Sequence, residues 1–135
     1  MTDLNIKILV VDNSLKMRRV IKDMLRRFGY NNLFEAGDGK AALEFLRKVK
    51  IDCILSEWNM SEMSGLELLE AVRKDRTLQS IPFFMITAEA DKENIMKAIN
   101  AGVSNYIVKP FNIGTLKKKM SRISPFNKKN RKVAS

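Results

Sequence analysis

The chain has 135 residues, 45% of them hydrophobic and 30% charged, and 25 Lys and Arg against 15 Asp and Glu give a net charge of +10. It has no histidine and a single cysteine, Cys53. That excludes a Ser-His-Asp triad, His-ligated zinc or haem, a phosphohistidine relay, an intrachain disulfide and a CxxC redox pair.

Short apolar runs alternate with segments of helical period, the pattern of a parallel sheet wrapped by helices. Residues 6–11 read as a first strand, buried on both faces because they are nearly all aliphatic. Ser14 then caps a helix whose Met17, Val20, Ile21, Met24, Leu25 and Phe28 recur at steps of three and four, and Gly29 ends it. A second strand over 31–36 leads into a helix over 40–49 with Ala42, Leu43, Phe45 and Leu46 on one face. A third strand (51–56) and third helix (65–74) follow, then a fourth strand opening on Pro82 and ending at Thr87. Asp91 caps a helix that runs to Ala101 and stops at Gly102. Residues 105–108 are a fifth strand and 113–123 a last helix. Residues 124–135, with Pro125 and little apolar content, read as a flexible basic tail.

The expected domain organisation is therefore one α/β domain over 1–123 and the tail. Five βα units are too few for an eight-stranded barrel, which leaves an open, doubly wound sheet of five parallel strands with five helices. Ligands of such sheets bind outside the carboxyl ends of the strands. Those ends carry Asp12 and Asn13, then Glu57, Trp58 and Asn59, then Thr87, and last Lys109 and Pro110. An oxygen-only set suits a hard cation, magnesium before calcium or zinc. Asp12 and Glu57 would give carboxylates and Asn59 a backbone carbonyl, while Lys109 and Thr87 would hold an anion. The alternative is that Asp12 and Asn13 simply cap the first helix. Neither a phosphate-binding glycine loop nor a GxSxG elbow is present, so the residues favour a signalling or binding protein over an enzyme.

Leu9-Val10-Val11-Asp12, Leu55-Ser56-Glu57-Trp58-Asn59-Met60, Met85-Ile86-Thr87-Ala88 and Val108-Lys109-Pro110-Phe111 resemble the CheY-like receiver domains of two-component response regulators, chemotaxis regulators among them. The resemblance spans residues 4 to about 123. It implies a flavodoxin-like strand order of 2-1-3-4-5, phosphoryl transfer from a histidine kinase to a carboxylate after the third strand, and magnesium beside it. It assigns Asp12 to the metal, Thr87 and Lys109 to phosphoryl contact, Tyr106 to a rotamer switch, and a cis bond to Lys109-Pro110. Two positions depart from the family pattern. The acceptor position holds Glu57 instead of aspartate, and the second acidic position holds Asn13.

Glutamate is longer by one methylene, so its carboxylate is expected to intrude where metal or phosphoryl would sit and to pair with Lys109. Weak magnesium binding through Asp12, Asn13, Glu57 and Asn59 follows, as does a receiver not phosphorylated at its usual position. Either Glu57 gives a partly active state, or the domain is a phosphorylation-independent binding module. The resemblance also implies a monomer whose partners are a chemotaxis-type histidine kinase or a flagellar switch protein. It places the partner face on Lys92, Ile95, Ile99, Val103, Tyr106 and Lys119. Ile95 and Ile99, four apart, fit core packing equally well.

Charge is distributed unevenly. Residues 112–135 hold 8 basic and no acidic side chains. Lys117 to Lys119 with Lys128, Lys129, Arg131 and Lys132 are thus a second candidate surface, for nucleic acid or an anionic membrane. No run reaches the ~20 apolar residues of a membrane span, and no signal peptide is evident, so a soluble cytoplasmic protein is expected. Cys53 reads as a buried thiol, and Met17, Met24, Met96 and Met120 as packing residues.

Overall fold

The computed structural model describes residues 4–122. Ten elements alternate: β1 (Lys7–Val11), α1 (Leu15–Arg27), β2 (Asn32–Ala36), α2 (Gly39–Lys48), β3 (Cys53–Ser56), α3 (Gly65–Lys74), β4 (Phe83–Thr87), α4 (Lys92–Asn100), β5 (Asn105–Val108) and α5 (Ile113–Ser121). The five strands pair in parallel in the order β2-β1-β3-β4-β5. This is the doubly wound sheet and strand order that the sequence and its resemblance imply.

Strand alternation divides the core into two layers. Leu9, Val11, Ile54, Phe83 and Met85 point to one face, which α2, α3 and α4 cover with Leu43, Leu46, Leu68, Leu69, Val72 and Ala98. Ile8, Val10, Leu55, Phe84, Ile86 and Ile107 point to the other, covered by α1 and α5 through Ile21, Leu25, Leu116 and Met120. Because both faces are covered, β1, β3 and β4 are apolar almost without interruption. Cys53 is fully buried in β3, as expected of a packed thiol.

Each helix begins at a side chain that accepts a backbone N–H: Ser14, Asp38, Ser64, Asp91 and Asn112. Ser64 and Glu67 form a reciprocal capping box. Gly29 and Gly102 carry φ of 99° and 94° after α1 and α4, a backbone that side chains with a Cβ rarely adopt. Arg73, at the end of α3, donates to the carbonyls of Gln79, Ile81 and Gly102 and to the Ser104 hydroxyl. It thereby binds the α3–β4 loop to the turn between α4 and β5.

Several expectations need correcting at the level of single residues. Ile6, Ile51 and Pro82 precede the strands they were expected to open, although Ile6 and Ile51 are buried. Within the described residues α5 ends at Ser121; Ile123 and segment 124–135 lie outside them. Met96 does not pack: it is 45% exposed, because it lies about 200° around α4 from Ala98, the residue that faces the sheet. Met17, Met24 and Met120 do contribute to the α1/α5 layer.

Candidate functional site

The rim residues are delivered by register. Val11 of β1 pairs with Ala36 and Ser56, so Asp12 and Glu57 emerge side by side at the ends of β1 and β3. The Glu57 N–H donates to the Val11 carbonyl at 2.9 Å. Thr87 pairs with Val108, and the Lys109 N–H donates to the Thr87 carbonyl at 2.8 Å, which places Lys109 next on the same rim. The Lys109-Pro110 bond is cis. After Glu57 the chain folds back tightly enough that a Cβ at Gly65 would collide with the Glu57 carbonyl oxygen. Only glycine fits there.

Lys109 joins the two carboxylates. Its Nζ lies 2.7 Å from Glu57 Oε1 and 3.2 Å from Asp12 Oδ2, with side-chain exposures of 16%, 11% and 3% for Lys109, Glu57 and Asp12. The remaining oxygens are engaged as well. Glu57 Oε2 accepts from the backbone N–H of Trp58 at 2.6 Å and, more weakly, of Asn59 at 3.4 Å. Asp12 Oδ1 accepts from the Ser14 N–H at 2.9 Å, so Asp12 supports the entry to α1 while Ser14 itself is the cap. Burial opposes the Lys109 charge, but the hydrogen bond to Glu57 and the charges of Glu57 and Asp12 outweigh it. The ammonium is held above its ordinary pKa.

The other predicted rim residues separate. Asn13 is exposed. Asn59 turns its amide away from the cluster and donates to Glu89 Oε1 at 2.7 Å. Thr87 is fully buried, and its hydroxyl accepts from the Glu89 N–H at 3.2 Å. Tyr106 is buried too, its phenol donating to the Glu89 carbonyl at 2.6 Å. Burial, then the charges of Glu89, Glu57 and Asp91, push that phenol up to about 12.

Sequence reasoning therefore missed Glu89, whose backbone meets Thr87 and Tyr106 and whose carboxylate meets Asn59 and Asn94. An acid two residues beyond the rim threonine was the available signal. It also missed Arg18, which lies four residues after the helix cap. Arg18 donates to the Asp12 carbonyl and to Glu35, and Lys22 also pairs with Glu35.

On the expected partner face, Lys92 is exposed, Ile95 and Val103 are half-buried against the core, and Ile99 is 52% exposed. The spacing of Ile95 and Ile99 thus divides, one leaning on the sheet and the other facing solvent. Tyr106 lies beneath this face instead of on it, and the Lys119 ammonium is occupied by the Tyr106 carbonyl at 2.7 Å. Of the second candidate surface, Lys117 and Lys118 are exposed, and the four tail cations lie outside the described residues.

Comparison with known proteins gives a consistent answer. The model of the response regulator receiver domain matches residues 8–121. Chemotaxis protein CheY-3 of Vibrio cholerae is 49% identical over 119 residues, 88% of this chain and 92% of that protein. Chemotaxis protein CheY of Pseudomonas aeruginosa is 46% identical over 117 residues, 87% of this chain and 94% of that protein. Among solved structures, chemotaxis protein CheY4 of Vibrio cholerae superposes with a TM-score of 0.81 at 34% identity, covering 88% of this chain and 98% of the other.

Proposed function

This chain belongs to the response regulator receiver family, and on that footing we propose that it acts in chemotaxis signalling by protein–protein contact, outside the phosphoryl cycle that the family's acceptor aspartate serves. Residues 1–123 form the receiver domain in this reading. The observation that carries it is the Glu57–Lys109 pair at 2.7 Å. The ammonium expected to contact a phosphoryl group is already bound to a carboxylate. Glu57 reproduces the position of a phosphoryl oxygen with a charge of −1, where a phosphoryl group brings about −1.5 to −2. The result is a fixed, partly active-like arrangement, with Tyr106 turned inward and bonded to Glu89.

Receiver domains hold magnesium at this acidic rim. Here the donor set fits it poorly. Asp12 and Glu57 share one ammonium, their other oxygens accept backbone N–H groups, and Asn13 brings no charge. Among the described residues no three acidic, His or Cys side chains gather as a metal group. Magnesium demands near-ideal octahedral geometry and gives up its waters reluctantly, so binding here is weak. No step of the proposed function passes through the metal.

The output surface is α4 with the ends of β5 and α5, where Lys92, Ile99 and Val103 meet a flagellar switch protein or a chemotaxis-type histidine kinase. Tyr106 and Lys119 shape that surface from below, and Ile95 braces it. No helix among the described residues is long and apolar enough to cross a membrane.

Incubation with acetyl phosphate and magnesium, followed by intact mass measurement, tests the reading. An unchanged mass is expected. A stable gain of about 80 Da located on Glu57 refutes it.

A further inference from the structure

Charge is concentrated on one side of the sheet. Helices α1 and α5, which cover the same layer of the core, together carry nine basic side chains and one acidic. Helices α2, α3 and α4, on the other layer, carry seven basic and four acidic. Lys117 of α5 lies 5.9 Å from the centre of the Phe28 ring, at the end of α1, so the cations of the two helices share one face.

Part of that charge is already engaged. Arg18 and Lys22 pair with Glu35, Arg26 pairs with Asp23, and the Lys119 ammonium donates to the Tyr106 carbonyl. The others are Lys16, Arg19 and Arg27 of α1 and Lys117 and Lys118 of α5. All five are exposed, and none pairs with a carboxylate among the described residues. At 3.6 residues per turn, Lys16, Arg19 and Arg27 stand on one outward stripe of α1, which is roughly 20 Å long. Leu15 and Val20 edge the same stripe and are 48% and 37% exposed. The sequence that follows α5 keeps the sign, with Lys128, Lys129, Arg131 and Lys132 and no acid.

We infer that the α1/α5 face binds the anionic surface of a phospholipid bilayer. Clusters of about four to eight Lys and Arg on a helix face recognise anionic headgroups, and each cation near such a surface is worth about fivefold in partitioning. The five unpaired cations make a cluster of that size. Leu15 and Val20 select lipid over nucleic acid. Aliphatic side chains beside the cations enter the boundary between headgroups and acyl chains, whereas against a phosphate backbone they would stay in water. With no Trp on either helix to anchor it, the attachment is shallow, reversible and screened by salt. The layer of α2, α3 and α4 then faces away from the bilayer, which leaves Lys92 and Ile99 open to a protein partner. The inference adds a place of attachment to the proposed signalling role and does not depend on the Glu57–Lys109 pair.

The test sediments the full chain with vesicles of phosphatidylcholine alone or with about 30% phosphatidylglycerol. The anionic vesicles should bind it at least about tenfold more strongly, and raising salt from about 50 to about 300 mM should reverse most of that gain. Lys16→Glu with Arg27→Glu should lower the partition about twentyfold or more, with an unchanged circular dichroism spectrum. Lys40→Glu with Lys48→Glu makes the same change in net charge on the opposite layer and should stay within about threefold. Leu15→Ser with Val20→Ser leaves every cation in place and should weaken vesicle binding about threefold or more. No preference for the anionic vesicles overturns the inference, as does an equal loss in the two glutamate pairs. So does full binding by the serine pair, or displacement from the vesicles by duplex DNA or polyglutamate at equal charge concentration.

Discussion

Replacing Lys109 with methionine keeps an unbranched apolar stem one atom shorter but removes the charge that holds Asp12 and Glu57 together. At an effective dielectric of about 20, contacts of 3.2 and 2.7 Å are each worth roughly 5–6 kcal/mol of gross Coulomb energy. Most of this is offset by the desolvation of groups that are 3–16% exposed. Removing one partner of such a buried cluster costs about 3–5 kcal/mol, because the two carboxylates are left facing each other without compensation. With a urea slope of about 1–3 kcal/mol/M, the unfolding midpoint should fall by about 2 M. Trp58, the sole tryptophan and the neighbour of Glu57, supplies the fluorescence signal. Adding Glu57→Gln to Lys109→Met should recover part of the loss, for a coupling of about 1–3 kcal/mol in the double-mutant cycle. A loss below about 1 kcal/mol, or a coupling within about 0.3 kcal/mol of zero, would refute the view that Lys109 and Glu57 act as one unit.

Three further outcomes are expected. Glu57→Asp with Asn13→Asp shortens the acceptor and adds a carboxylate, so magnesium should quench Trp58 with at least about tenfold higher affinity than in the unaltered protein, as read by titration. The phenolate absorbance that Tyr106→Phe removes should develop near pH 12, not 10. A phenol held above its ordinary pKa stabilises the fold fully below about pH 10 and loses that contribution as pH rises towards 12, and the raised Lys109 ammonium acts in the same direction, so urea midpoints should fall across that range. Finally, Ile99→Asp should change stability by no more than about 0.5 kcal/mol in urea melts, because Ile99 is solvent-facing, whereas Ile107→Ala should cost about 2–5 kcal/mol.

The fold was largely legible because its signals are local and repeated. Ser14, Asp91, Gly29 and Gly102 each mark a helix end through backbone chemistry that does not depend on distant residues. The convergence of Asp12, Glu57 and Lys109 was legible as well, since a parallel sheet brings its strand ends to one rim. What escaped was the direction of individual side chains. Asn59 and Asn13 sit on the rim by position, yet one turns to Glu89 and the other to solvent. Tyr106 could be assigned to β5, but whether it faced solvent or core depended on the Glu89 carbonyl, seventeen residues away, and Glu89 itself drew no attention. Met96 and Ile99 show the same limit on a short helix. A four-residue spacing defines a stripe, but α4 buries only Ala98 fully, so most of that stripe is free to face outward.

Arg73 gives the molecule a seam of its own. Its guanidinium ties segments that are up to 31 positions apart in sequence, and it does so mostly through carbonyls that would otherwise need water. The end of α3, the loop that follows it and the approach to β5 should therefore be protected together, and hydrogen exchange at their amides would check this. Lysine, with its single ammonium, could not span the same acceptors. Ile99 lies only three residues before Gly102, so the exposed isoleucine of α4 sits at the end of the helix that Arg73 anchors.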